Sequence, residues 1–110
     1  MSEPDWVVHK TNDAQRHEGS FWAEYVFFCP GCECGHGFKT VGGPPSWSFN
    51  YDMVKPTVSP SLLITGHLGR DLAGEDRYGT CHSFIRDGMI QFLDDCTHAL
   101  RGRTVPLLPF

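Results

Sequence analysis

Thr80-Cys81-His82-Ser83-Phe84-Ile85-Arg86-Asp87-Gly88-Met89-Ile90-Gln91-Phe92-Leu93 is the stretch that decides the fold. Two runs of apolar and polar residues flank Asp87-Gly88, a dipeptide that favours a two-residue type I′ turn. The pattern predicts a β-hairpin over residues 80–93. Its register pairs Ile85 with Ile90, Ser83 with Phe92 and Cys81 with Asp94 on one face. Arg86–Met89, Phe84–Gln91 and His82–Leu93 fall on the other. Successive side chains on a regular strand point to opposite faces, so Cys81 and His82 diverge. Beyond the hairpin, Asp94 or Asp95 can cap a helix of one to two turns reaching Arg101, with Gly102 as its stop. Thr104 to Leu107 can add an edge strand, because Pro106 excludes a central one.

Working back toward the N-terminus, residues 67–79 are charged and glycine-containing and read as an exposed loop. Residues 62–65 read as a strand ending at Gly66. Pro56-Thr57-Val58-Ser59-Pro60-Ser61 reads as an extended rim, since two prolines lack the donor a central strand needs. Trp47-Ser48-Phe49-Asn50-Tyr51 alternates like a short strand, and residues 21–28 read as a mostly buried one. Residues 38–41 offer its return partner. Residues 1–20 are polar and lack a clear period. They form the expected N-terminal arm, with Trp6-Val7-Val8 placed to dock as a short edge strand. The expected fold is mainly β, a small α+β domain over residues 21–110. It has antiparallel hairpins, a Cys-x-x-Cys zinc knuckle and one short C-terminal helix.

The chain has 110 residues, 40% hydrophobic and 20% charged, which suits one globular domain and excludes a disordered chain. The net charge is -4, which disfavours a general nucleic-acid binder. The acidic excess sits in residues 1–33, where six acids face two bases. No stretch approaches the roughly 18 apolar residues of a membrane span. The acidic start Met-Ser-Glu-Pro-Asp is unlike a signal peptide, so a cytoplasmic location is expected. There thiols stay reduced, and five cysteines make an odd count for a disulfide framework.

The strongest chemical signal is Cys29-Pro30-Gly31-Cys32. Two cysteines on a tight turn can face one ion while turn amides donate to their sulfurs, which favours the thiolates zinc binds. Ordinary turn cysteines and a redox dithiol are the competing readings. The glycines that follow argue against the helix a redox motif opens. Tetrahedral zinc needs two further ligands, sought among His36, Cys81 and His82. Cys34 would crowd the ion, and Cys96 reads as packed. Asp94-Asp95-Cys96-Thr97-His98 is a second cluster, in which Asp94 and His98 share a helix face. Ser59 and Ser61 have no base in view, which sets a serine nucleophile aside.

Cys29-Pro30-Gly31-Cys32 with His36, Trp47, Pro56-Thr57, Ser59-Pro60-Ser61, Cys81-His82-Ser83-Phe84, Gly88, Gln91-Phe92-Leu93 and His98-Ala99-Leu100 resembles small proteins encoded by tailed phages and prophages. The resemblance spans about residues 25–108. Members often carry the label ammonia monooxygenase. That enzyme is a membrane copper complex, and this chain has neither a span nor a copper-type histidine cluster. The chain is also similar to bacterial domains with a Cys-rich knuckle and a histidine-bearing strand before an Arg-x-Gly turn, matched here by His82 and Arg86-Asp87-Gly88. The resemblance implies a phage accessory gene and a ligand role for His82.

Two function classes follow. The expected one is a zinc-binding accessory module acting on a host protein, in host takeover or counter-defence, in the cytoplasm of an infected or lysogenic bacterium. The alternative is a small metal-dependent hydrolase of a nucleotide-like or other polar substrate. In it His98 and Asp95 or Asp94 are the acid–base residues, and Trp47 or Tyr51 stacks on a base. Nucleic-acid binding through Arg70, Arg77, Arg86, Arg101 and Arg103 ranks below both.

Overall fold

The structure, a computed structural model, describes residues 6–10, 23–42 and 45–110. Among the described residues eight strands form two antiparallel sheets: β1 (Val8–Lys10), β2 (Tyr25–Cys29), β3 (Cys34–Phe38), β4 (Ser48–Phe49), β5 (Val58–Arg70), β6 (Asp76–Arg86), β7 (Met89–Phe92) and β8 (Thr104–Pro106). The first sheet runs β1-β2-β3 and the second β4-β5-β6-β7-β8. Between them sit the buried side chains of Val8, Phe27, Phe38, Val58, Ile85, Ile90 and Phe92. The mainly β, antiparallel expectation holds.

The β6–β7 hairpin has the register its pattern dictates: Ser83↔Phe92, Phe84↔Gln91, Ile85↔Ile90 and Arg86↔Met89. Asp87 and Gly88 both have positive φ, 55° and 81°, as a type I′ turn requires. Burial along β6 alternates, with Cys81, Ser83 and Ile85 inside and His82 and Phe84 only partly covered.

Two expectations are corrected. The first is the C-terminal helix: among the described residues no helix forms. After β7 the backbone donates to the sheet instead of to itself. Leu93 N bonds His82 O, Thr97 N bonds Thr80 O and Gly102 N bonds Phe92 O. What remains of the helix is turns, such as Arg101 N to His98 O. The second is the loop expected over residues 67–79. It is instead the far end of a long β5–β6 hairpin, paired as far as Arg70↔Asp76. Gly66 pairs with Gly79, so glycine hid a strand that cross-strand neighbours support. The true loop is residues 71–75, closed by the Asp71 carboxylate accepting from the Ala73 and Glu75 N–H groups.

Of the expected arm, residues 6–10 are described, with Val8–Lys10 forming the edge strand β1. The rest of it lies outside the described residues. The return strand expected over residues 38–41 lies earlier in the chain: β3 begins at Cys34, just past the turn that carries Cys32, and ends at Phe38.

Candidate active site and metal centre

The β2–β3 hairpin presents the knuckle. Cys29 pairs with Cys34, and the turn between them closes with Glu33 N donating to Cys29 O at 2.8 Å. Glu33 takes a left-handed φ of 58° to let the chain reverse. This turn aims the Cys32 N–H at Cys29 Sγ, 3.4 Å away. Along β3, Cys34, His36 and Phe38 point inward. Cys34 turns aside and donates to Leu68 O on β5 at 3.3 Å. His36 points toward the knuckle, and Cys81 arrives from β6. Cys29, Cys32, His36 and Cys81 are all buried, and one potential ligand atom from each lies within 4.8 Å of the others.

The donor set suits a divalent cation. Cys29 Sγ and Cys81 Sγ are 3.9 Å apart. Two thiolates on one tetrahedral zinc, at about 2.3 Å each, stand about 3.8 Å apart. Among the described residues, buried His36 Nε2 has no hydrogen-bond partner, a condition that costs about 1–3 kcal/mol. Hydrogen bonds from the Cys32 and Cys81 thiols hold the Cys29 thiol far below its ordinary value. Hydrogen bonding to Cys29 in turn pushes the Cys32 and Cys81 thiols well up, and burial adds to it. A bound divalent cation would favour the thiolate form of all three cysteines.

His82 follows Cys81 but points to the opposite face, outside the group of four. Its ring lies between two other side chains. Ser61 Oγ is 3.0 Å from His82 Nε2, and the Asp95 carboxylate is 3.0 Å from His82 Nδ1 through Oδ2 and 3.3 Å through Oδ1. The serine comes from β5 and the aspartate from the turn after β7. The ladder between β5 and β6 slips between Val58 and Leu62, and Ser61 rides in this irregularity. Bulges of this kind re-aim side chains beside active sites. Trp47 Nε1 donates to Ser61 O at 3.1 Å and pins the serine backbone. On the other side, Cys96 is nearly fully buried, and its sulfur bridges His82 N and His82 O at 3.2 Å each.

An Nδ1–H donated to Asp95 leaves Nε2 free to accept the Ser61 proton. That is the geometry of an activated serine nucleophile. Reading the sequence had set Ser61 aside because its base lies 21 residues on, across a hairpin that glycines concealed. The one available signal was the alternation that turned His82 away from Cys81. His98 sits elsewhere: buried, with Nε2 3.7 Å from Cys81 Sγ and Nδ1 accepting from Leu100 N. Burial holds its pKa below the ordinary imidazole value. Its ring packs on Gly31, where any side chain would collide with it. Asp94 is exposed on the turn and does not bond His98.

Residues 3–93 match the family described as bacterial ubiquitination-like system serine protease (BubE). The chain belongs to this family. Ser61 and His82 lie within the matched span, and Asp95 two residues beyond it. Curated proteins and solved structures returned no match. The family overturns the expected binding module and favours the hydrolase class instead. It names a bacterial system, and nothing in it carries the phage, host-takeover or counter-defence assignment. Among the described residues no helix is long and apolar enough to cross a membrane.

Proposed function

We propose that this chain is a serine peptidase of a bacterial ubiquitination-like system, with Ser61 as nucleophile, His82 as general base and then acid, and Asp95 as the group that orients His82. The observation that carries the reading is the Ser61–His82–Asp95 array, with contacts of 3.0 Å on both sides of the imidazole. It is supported by the family to which residues 3–93 belong.

His82 Nε2 takes the Ser61 hydroxyl proton as Oγ attacks the carbonyl carbon of the scissile bond. Asp95 stabilises the resulting imidazolium without taking its proton. His82 then protonates the departing amine, leaving an acyl ester on Ser61. Water, deprotonated by His82, hydrolyses that ester and restores the hydroxyl. The hydrogen bond from Trp47 to Ser61 O and those between Cys96 and the His82 backbone hold nucleophile and base in register.

The zinc reading takes Cys29, Cys32, His36 and Cys81 as the four ligands. Four protein ligands make a closed, structural set, which would tie the knuckle to β6. Bound there, zinc would supply charge neutralisation for the buried thiolates and no step of hydrolysis.

The test is labelling with a fluorophosphonate probe, followed by peptide mapping. Ser61 should carry the label in the native chain. Ser61→Ala should abolish it, and His82→Ala should slow it by at least about a thousandfold, both with metal content unchanged and Tm within a few degrees of the native chain. Labelling that persists in Ser61→Ala, or a native chain that never reacts, sinks the reading.

A further inference from the structure

Among the described residues, one edge of β5 has no neighbouring strand where it leaves Ser61. The neighbouring β4 pairs only opposite Val58 and Ser59. Beyond that, the direction of the β5 backbone follows from its other neighbour. Leu63 pairs with His82 and Thr65 with Thr80. His82 O accepts from Leu93 N and Thr80 O from Thr97 N, so both β6 residues turn their main-chain groups away from β5. In an antiparallel pair, their partners do the same. Leu63 and Thr65 therefore aim N–H and C=O outward. Among the described residues, no backbone bond outside the ladder reaches either. Ser61 O, the preceding group on this edge, is taken by the Trp47 indole.

A cleft of about 350 Å³ runs along the same edge. Leu62, Leu63, Ile64 and Thr65 form one wall, and Gly37, Pro45 and Trp47 the other. Among the described residues no charged side chain lines it. Its volume sits at the small end of the range for ligand pockets, about 300–1,000 Å³.

We infer that this edge takes an extended, uncharged apolar segment of a polypeptide substrate as an added strand, which delivers the scissile bond to Ser61. The inference rests on Ser61 being the nucleophile and names what that nucleophile is offered. Main-chain bonds to Leu63 and Thr65 supply register, and alternate substrate side chains enter the cleft. Leu63 is two residues from Ser61, about 7 Å along the strand, so selection falls within a few residues of the cleaved bond and on one side of it. An acidic or basic side chain entering there would lose its hydration with no partner across the cleft.

The experiment uses the native full-length chain, with Ser61 labelling measured in parallel. A randomised tetradecapeptide library is digested and the cut sites are read by mass spectrometry. Leu, Val, Ile, Met or Phe should be enriched at least tenfold at two alternating positions on one side of the cut. In the best peptide, aspartate at either position should raise KM at least tenfold. N-methylation of the backbone amide facing β5 should do the same, while N-methylation one residue along should change little. A flat side-chain profile, or an N-methyl scan without alternation, overturns the inference. So does a chain that labels at Ser61 yet cuts no peptide, which would leave the nucleophile reading standing. A chain that neither labels nor cuts removes that reading and this one together.

Discussion

Cys81 and His82 are consecutive on β6 and belong to two different chemistries. Inward, Cys81 joins three other buried side chains, and little water reaches the group. Three thiols and an imidazole held this close form a set that a bound cation would balance. Outward, His82 keeps 23% of its side-chain surface and Asp95 keeps 55% of its own. Here order comes from directed hydrogen bonds, and water can reach the array. The strand's two-residue period alone separates the two. The two groups meet at the peptide unit between Cys81 and His82.

The widest break in that comparison comes from the inner face. Cys32→Ser should lose bound metal and cooperative folding together, and with them all Ser61 labelling. Breaking a buried charged set by removing one member costs about 3–5 kcal/mol, a large share of a small domain's stability. Metal analysis, thermal melting and labelling check it jointly. Metal lost with fold and labelling retained would show the two faces to be independent.

On the outer face, His82→Ala should cut peptide hydrolysis by about 10⁴–10⁶-fold. Metal content should stay at the native value and Tm should move by only a few degrees. The substitution removes a partly exposed ring and leaves Cys81 where it is. Loss of metal in His82→Ala would mean that the imidazole serves the inner group, and the division between faces would fall.

Those two faces differ in how far the sequence exposed them. Cys29-Pro30-Gly31-Cys32 announces itself by spacing, and Asp87-Gly88 sets the β6–β7 register, so the divergence of Cys81 and His82 could be read directly, but not which of the two joins the knuckle. Ser61 could not, because its partnership with His82 runs through the β5–β6 ladder. Gly66, Gly69 and Gly79 suppress the strand signal there, although Gly66 and Gly79 face each other within it. Pro60 argued against a strand that in fact tolerates it, since it falls in the irregular stretch between Val58 and Leu62. The turn carrying Asp95 and His98 looked helical from its polar start and Gly102 stop. Thr97 decided otherwise by bonding Thr80, a contact that exists only once β6 is in place.

Asp95→Asn sharpens the outer face. The amide keeps the shape and loses the charge that stabilises the imidazolium, and it can favour the wrong tautomer. Because Asp95 is more than half exposed, water replaces part of its field. The expected loss in kcat is about 10²–10³-fold, smaller than for a buried triad carboxylate, with KM unchanged. An equal loss in His82→Ala and Asp95→Asn would show that the two act as an inseparable unit.

The smallest expected effect lies between the faces, at Cys96. Its thiol donates to His82 O and accepts from His82 N, so it fixes the peptide unit through which the inner group reaches the outer one. Removing the sulfur leaves the His82 N–H without its acceptor, at a cost of about 1 kcal/mol. It also frees the ring to drift from Ser61. Cys96→Ala should lower kcat about tenfold while KM and metal content hold, because misplacing a catalytic group by a fraction of an ångström weakens reaction more than binding. Cys96→Ser keeps a donor and an acceptor of similar size and should restore kcat to within about twofold of the native chain. A merely structural cysteine gives a different pattern. Both variants would then lower Tm in step with lost packing, and the hydroxyl would rescue nothing. Equal kcat in the alanine and serine variants would remove Cys96 from the path between the inner group and the serine.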